Sequence, residues 1–341
     1  MKNVALALLV SVASVGAATA QTLEVVALGA LELAYERPVA VSSYPGQPLS
    51  GRVGFRSGEA YSVPSPGRVQ QIEYLVEPGA AVSKGQPFAV LRGPEMHHFE
   101  MSYHSSRALA AGAEQRFKSN QPLYERKAIS ESQWRQISEN YYASQLEYEH
   151  MRHFFELVAG DDNDPAALTL TAPLTGVIDY DADGSEVGEG DSIALFIPRA
   201  AIRLQVALPQ ATAAAVFAVR AGSCELQIER VSAMTDSFFI RAWTQTLPPA
   251  CPLLLGQQLL LQPLLRVDNA YRVARAAVFA LQRQTYVWRL RDDTLEAVPV
   301  TVLAAEGDAY IVHSEEGLAG QSVLVSSVSA VQGVLLGLGG E

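Results

Sequence analysis

The sequence predicts a mainly β, elongated protein of several domains that is interrupted by one long α-helical hairpin. Two observations carry this fold class. Residues 67–95 and 172–198 lie far apart in the chain, yet they look like two halves of one small β-domain. Between them lies a long segment with a heptad pattern and a single break in its middle. A β-domain that is opened to let out a helical hairpin accounts for both observations.

The first 20 residues predict a signal peptide for export. Lys2 supplies a positive charge, residues 5–15 are apolar, and the Ala-Thr-Ala of residues 18–20 is a small-residue cleavage site. An uncleaved inner-membrane anchor is the alternative. Cleavage removes Lys2 and leaves 24 basic and 36 acidic residues, a net charge of −12. This balance disfavours nucleic acid as a partner, because phosphate binding needs a basic surface.

Each helix of the predicted hairpin has a start signal in the sequence. Pro94 is acceptable at the first position of the first helix, and a break near residues 127–130 precedes the second. Ser130 and Gln133 have the spacing of a capping box. Gly160 and the Asp-Asp-Asn-Asp-Pro of residues 161–165 end the hairpin. Its arms of about 30 residues would each be about 45 Å long. The seam residues, which step by three and four, are Phe99, Tyr103, Ser106, Ala110, Ala113, Phe117, Asn120 and Tyr124, then Trp134, Ile137, Tyr141, Ser144, Tyr148, Met151, Phe155 and Val158.

The remaining segments are predicted to be mostly β. Residues 22–60 alternate apolar and polar side chains between Gly, Pro and Ser, which indicates short strands. From residue 201, short strands and one helical segment at residues 209–219 predict a small barrel. A further β-module begins at Tyr271, and the Gly- and Leu-rich tail from Gly333 is predicted to be disordered.

Together these segments resemble the periplasmic adaptor proteins, or membrane fusion proteins, of tripartite efflux pumps of the resistance-nodulation-division class. The two β-halves around the hairpin carry the resemblance, together with the C-terminal run VARAAVFALQRQTYVWRL followed by GLAGQSVLVSS. Val273-Ala274 departs from the Val-Pro that the family commonly has there. The resemblance covers essentially the whole chain after the signal.

The resemblance implies four nested modules: the hairpin, a lipoyl-like domain, a β-barrel and a membrane-proximal domain built from both chain ends. The implied boundaries are residues 1–20 for the signal peptide, 21–61 and 267–332 for the membrane-proximal domain, 62–94 and 166–199 for the lipoyl-like domain, 95–165 for the hairpin, 200–266 for the β-barrel and 333–341 for the tail.

The implied function is that of a non-catalytic periplasmic protein that binds no cofactor. It would link a proton-driven inner-membrane efflux transporter to an outer-membrane channel and assemble as a ring, which the family implies to be a hexamer. No nucleophile–base set and no phosphate-binding loop is present in the sequence. The alternatives are a metal-binding adaptor of a Cu/Ag or Zn/Co/Cd export system, a type I secretion adaptor, and a biotin or lipoate carrier. The only lysine nearby, Lys84, lies in the VSKGQ turn of the first β-half and not at a hairpin between the two halves, as a carrier requires.

Many adaptors of this class dock on the channel through an Arg, a Leu and a Ser at the hairpin tip. Leu123 and Ser130 match the spacing of the last two. Ser119 occupies the expected Arg position, and Arg116, about one turn earlier, only approximates it. The alternative roles are structural: Leu123 would pack in the seam and Ser130 would cap the second helix.

A second candidate site is a set of His and Met residues in the hairpin. His97, Met101 and His104 share one helix face, and the antiparallel arms place them level with His150 and His153. These are ligands for Cu(I) and Ag(I). At 100° per residue, however, the two groups point outward on opposite sides of the hairpin. They would meet only between neighbouring copies in a ring, or they are surface residues.

Two cysteines, Cys224 and Cys251, complete the set of chemically distinctive residues. In an exported protein they could form a disulfide, and two free buried thiols are the alternative. The sequence leaves both open.

Overall fold

The computed structural model describes residues 21–56, 58–159, 167–180 and 187–338. The predicted signal peptide and the predicted stop of the hairpin at residues 160–165 lie outside these described residues. Strands dominate the regular structure, which confirms the mainly β class. Within the described ranges, no helix is both long and apolar enough to cross a bilayer.

The helices α1, α2 and α3 comprise Pro94–Glu125, Glu131–Phe155 and Val328–Leu335. The strands β1 to β12 are Thr22–Glu24, Tyr35–Glu36, Val39–Pro45, Leu49–Phe55, Tyr61–Pro64, Gln71–Tyr74, Ala81–Val82, Pro87–Arg92, Val158–Ala159, Ala167–Thr171, Gly176–Asp179 and Ser192–Ile197. The strands β13 to β22 are Ile202–Pro209, Val216–Ala221, Cys224–Asp236, Phe239–Thr246, Gln258–Ala274, Val278–Leu281, Gln284–Arg291, Thr294–Glu306, Ala309–His313 and Ser322–Leu324.

The chain forms two compact units, each assembled from separate segments. The first unit takes the described residues of Met1–Leu49, Leu208–Glu225 and Leu261–Glu341. The second takes those of Ser50–Ala207 and Leu226–Leu260.

The first unit joins the two ends of the chain through antiparallel pairing. β1 pairs with β20, β2 with β22 and β3 with β17. The fully buried Trp288 stacks on Phe279 with ring centroids 4.9 Å apart, and Leu28 and Val331 pack in the same core. Three of the strands predicted in residues 22–60, β1 to β3, therefore find partners in the C-terminal part of the sequence.

The second unit contains the two predicted β-halves in two four-stranded sheets, which we call the paired sheets. Their strand orders are β6-β8-β10-β9 and β5-β12-β11-β7. Each sheet combines strands from before α1 with strands from after α2. Phe88 of β8 and Phe196 of β12 are fully buried and meet edge to face with centroids 4.9 Å apart. The paired sheets therefore share one core, and the helices are an insertion between β8 and β9.

The rest of the second unit is a sheet of order β15-β16-β13-β4. Alternation along β13 buries Leu204 and Val206. Arg203 of the same strand bonds the Glu59 carboxylate at 2.9 Å, and Arg56 bonds the Glu229 carboxylate at 2.8 Å. Further contacts of 3.4–3.5 Å connect the two pairs. This ion network ties β13 and β15 to the connection that leads from β4 to the paired sheets.

The structure corrects three details of the sequence prediction. The helix predicted at residues 209–219 is a turn followed by β14, because Val216–Ala221 pairs with β17. Val158 belongs to β9 and pairs with Leu170 of β10, so α2 ends at Phe155. The tail predicted to be disordered from Gly333 is helical as far as Leu335, because α3 packs Val331 into the core.

The structure also shows whether the two cysteines are bonded or free, which the sequence left open. Cys224 and Cys251 are both disulfide-bonded, and neither is a free thiol.

Candidate functional site

The candidate site is the end of the α1–α2 pair that lies farthest from the paired sheets. α1 begins at Pro94 directly after Gly93, whose φ of 148° favours glycine. α2 begins with the predicted capping box. The Ser130 Oγ accepts a hydrogen bond from the Gln133 N–H at 3.2 Å, and the Ser130 N–H donates to Gln133 Oε1 at 3.0 Å. Both helix starts were predicted correctly.

Aromatic stacking joins the two helices along the predicted seam. Near the paired sheets, Tyr103 stacks on Phe155 with centroids 4.0 Å apart. Near the connection, Phe117 contacts Trp134 at 4.8 Å, and Trp134 also stacks on Tyr124 at 5.1 Å. These contacts run over most of the length of α2 and confirm the aromatic seam positions.

Burial in the seam also affects the Tyr103 phenol. Burial raises its pKa, and the hydrogen bond with the Tyr148 hydroxyl raises it further. The Tyr103 hydroxyl therefore stays neutral at physiological pH.

The tip is a short connection of residues 126–130 closed by backbone hydrogen bonds. The Ala128 N–H donates to the Leu123 carbonyl at 2.7 Å, and the Lys127 N–H donates to the Tyr124 carbonyl at 2.8 Å. Lys127 has a φ of 58°, the left-handed conformation that often ends a helix. The Arg126 and Lys127 side chains are exposed there.

Of the three predicted docking residues, the structure brings two together at the tip. Leu123 is half-buried in the last turns of α1, and Ser130 is the exposed cap of α2. Arg116 is exposed seven residues before Leu123, about 10 Å farther along the helix at 1.5 Å per residue. Ser119, at the family's Arg position, is exposed and its hydroxyl bonds the Gln115 carbonyl.

Sequence reasoning missed the two cations at the tip itself, Arg126 and Lys127. They are the exposed basic residues nearest to Leu123 and Ser130. The break predicted at residues 127–130 was the available signal, since basic residues directly after a helix often interact with its last carbonyls. Arg126 does so: its Nε donates to the Pro122 carbonyl at 3.1 Å.

The predicted His and Met residues remain on the helix surfaces. His97, Met101, His104, His150 and His153 are all exposed. His104 Nε2 lies 3.9 Å from a Glu100 carboxylate oxygen, and His153 Nδ1 lies 3.9 Å from one of Glu156. Among the described residues, no group of three His, Cys, Asp or Glu side chains is arranged to hold a metal ion. Met151 is buried and belongs to the seam.

Lys84, the lysine weighed for a carrier function, lies in the turn between β7 and β8. Its backbone N–H donates to Thr175 Oγ1 at 3.1 Å, and Gly85 beside it has a φ of 82°. Between the two β-halves, where a carrier would present its lysine, the chain instead forms α1 and α2.

Comparison with known proteins gives fold matches only. No family model matches the chain, and no curated protein matches it. The crystal structure of a MacA–MexA chimeric protein, containing the α-hairpin domain of Pseudomonas aeruginosa MexA, is 16% identical with a TM-score of 0.50, covering 82% of this chain and 96% of that chain.

Two further solved structures are similar at lower scores. MacA from Actinobacillus actinomycetemcomitans is 13% identical with a TM-score of 0.43, covering 85% of this chain and 99% of that chain. ZneB from Cupriavidus metallidurans is 14% identical with a TM-score of 0.38, covering 86% and 92%. The chain has the fold of the MacA–MexA chimera, and its predicted resemblance to periplasmic adaptor proteins is confirmed at the level of the fold.

Proposed function

We propose that this protein is a periplasmic adaptor that links an inner-membrane efflux transporter to an outer-membrane channel. The observation that carries the proposal is the fold shared with the MacA–MexA chimera over 82% of the chain. The sequence adds a predicted signal peptide, which is consistent with export to the periplasm. The protein would act by assembly and sealing, without catalysis.

The exposed surface of the α1–α2 pair supports a role in assembly. Leu109, Tyr142 and Leu146 are 68%, 63% and 75% exposed, although each is large and apolar or aromatic. Side chains of this kind gain most when a partner covers them. We propose that neighbouring copies pack along these helices in a ring, and that the tip at Leu123 and Ser130 contacts the channel.

A metal-export role is the second candidate, and it rests on His97, Met101 and His104 sharing one exposed helix face. In a ring, a neighbouring copy could add His150 or His153 to such a face as further ligands for Cu(I) or Ag(I). Titration of the full-length protein with Cu(I) or Ag(I) at ring-forming concentration tests this: saturable heat supports it, and absence of heat rejects it.

The adaptor function itself is tested by isolating the assembly. The full-length chain would carry a C-terminal affinity tag in its own cells, and reversible cross-linking would precede solubilisation. We expect an inner-membrane transporter and an outer-membrane channel in one particle, with several copies of this chain. Recovery of the chain with proteins of one membrane only, or alone, would contradict the proposal.

The matched control is Leu123→Asp at the tip. This change places a charge on the proposed channel contact while leaving the paired sheets untouched. It should retain the transporter and lose the channel. Retention of the channel would show that the channel contact lies elsewhere.

A further inference from the structure

The second unit contains a large groove between the sheet β5-β12-β11-β7 and the sheet β15-β16-β13-β4. Its volume is about 940 Å³. Pockets for organic ligands have volumes of roughly 300–1,000 Å³ and occur preferentially where domains meet. The residues that line it include none of the hairpin tip and none of the His and Met set. The groove is therefore separate from the site described above.

An aromatic ring is accessible in this groove because a glycine lies beside it. Alternation along β4 turns Val53 into the core and leaves Arg52 and Gly54 on the opposite face. A Cβ built on Gly54 would lie 3.9 Å from the Trp243 ring. Any larger residue at Gly54 would cover part of that ring, so glycine keeps an aromatic surface open to a ligand.

The connection between β16 and β17 forms an apolar wall of the groove. A backbone hydrogen bond holds each end of this connection. The Leu247 N–H donates to the Ile202 carbonyl at 3.1 Å, and the Gly256 N–H donates to the Val53 carbonyl at 2.9 Å. The wall presents Leu253, Leu254, Leu255, Pro248, Pro249 and Pro252. Leu254 is 74% exposed, so an apolar ligand would cover a side chain that otherwise faces water.

The charged residues that line the groove are Arg52, Arg199 and Asp179. Among the described residues, neither arginine forms an ion pair with a carboxylate. The lining thus carries an excess of positive charge in a chain whose formal net charge is −11. Guanidinium groups bind carboxylates through paired, charge-assisted hydrogen bonds.

We propose that this groove binds an amphiphilic organic carboxylate. Its apolar body would lie on Trp243 and along the leucine and proline wall, and its carboxylate would pair with Arg52 or Arg199. The inference comes from the lining chemistry and does not depend on the adaptor function. Binding to the isolated chain can therefore succeed or fail independently of any partner protein.

A competition titration on the full-length protein tests the proposal. The probe is 8-anilinonaphthalene-1-sulfonate, an aromatic anion whose fluorescence rises in apolar sites. We expect saturable binding that decanoate displaces and that decyltrimethylammonium, with the same tail and the opposite charge, does not. Equal displacement by both competitors would overturn the charge argument and indicate a general apolar surface.

Three variants assign the binding to the groove. Gly54→Leu should abolish displaceable binding by filling the space over Trp243. Arg52→Gln or Arg199→Gln should weaken decanoate binding by roughly tenfold, which is the loss of one charge-assisted contact. Arg241→Gln removes the same charge from β16 outside the groove and should change nothing.

Circular dichroism of each variant shows whether it is folded. If Gly54→Leu fails to fold, the two arginine variants alone test whether decanoate binds in the groove. Unchanged decanoate affinity in both of them would overturn the proposal.

Discussion

The paired sheets and the helices inserted in them bury their side chains very differently. The sheets share a core in which Phe88, Leu91, Ile178 and Phe196 have no exposed surface. In α1 and α2, every residue of which is described, the buried side chains are Met96, Ser106, Ala110 and Met151. The helices thus rely on a narrow stacked seam.

This difference indicates that the paired sheets provide most of the stability, whereas the helices provide exposed surface. Burying apolar surface stabilises a fold roughly in proportion to the area buried, so most of the stabilisation lies in the sheets. The helices leave most of their surface to solvent, including Leu109 and Leu146, which are well over half exposed. We infer that the sheets hold the helices in place and that the helices present surface to partners.

The largest expected effect is the loss of an aromatic ring from the shared core. Phe196→Ala should lower the free energy of unfolding by about 3–5 kcal/mol, because the removed ring leaves a cavity. Denaturant unfolding followed by circular dichroism measures it. Phe238→Ala is the matched control: Phe238 is 80% exposed, and its change should stay within about 0.5 kcal/mol. Equal losses of stability at the two positions would contradict the conclusion that the buried core of the paired sheets provides most of the stability.

A smaller and more local effect is expected in the seam. Phe117 is half-buried and contacts the rings of Trp134 and Tyr141 at 4.8 and 4.6 Å. Phe117→Ala should cost about 1–3 kcal/mol, since each of the two aromatic pairs contributes about 0.5–1.5 kcal/mol. Hydrogen exchange should accelerate in the outer turns of α1 and α2 and stay unchanged in β8 and β12. Acceleration in those strands would show that the helices and sheets unfold together.

The cap at Ser130 should contribute about 1 kcal/mol. Ser130→Ala removes the acceptor for the Gln133 N–H, so exchange should accelerate in the first turn of α2. Ser130→Asp retains an acceptor and should restore protection. Protection that does not differ between the two variants would contradict the capping role of Ser130.

The smallest effect concerns the ion network of Arg56, Glu59, Arg203 and Glu229. The hydrogen bond from Arg56, followed by that from Arg203, holds the pKa of Glu229 below its ordinary value of 4.5. A lowered carboxyl pKa stabilises the fold above pH 4.5, and that contribution is lost as the pH falls through the folded-state pKa.

The test of this network compares the wild type with Glu229→Gln. The Glu229 side chain is 41% exposed, so its contribution at neutral pH should be below about 1 kcal/mol. The variant should be less stable than the wild type at pH 7, and the gap should narrow in acid. A gap that is independent of pH would show that the carboxylate charge contributes nothing.

The parts of the fold that the sequence predicted correctly are those in which a pattern within one short segment determines the local structure. The 3,4 spacing from Phe99 to Tyr124 indicated the seam, and the Ser130–Gln133 pair indicated the start of α2. At residues 209–219, local helix propensity was misleading, because Val216–Ala221 is committed to pairing with β17. Long-range pairing of this kind leaves no periodic signal within one segment.

The candidate site was predictable in part for the same reason. Leu123 and Ser130 follow from spacing within one hairpin, and the structure places both at its end. The groove over Trp243 depends on Gly54 and on the connection after β16, which lie far apart in the chain. Only the folded arrangement of β4 and β16 brings them together.

We propose that the helix tip, and not the sheets, meets the outer-membrane channel. A photo-cross-linking amino acid at Leu123 tests it most directly, with the same group at the exposed Lys84 in the turn between β7 and β8 as the control. We predict that irradiation of intact cells joins position 123, but not position 84, to an outer-membrane channel protein identified by mass spectrometry. Capture of no outer-membrane protein at position 123, or equal capture at both positions, would contradict the account.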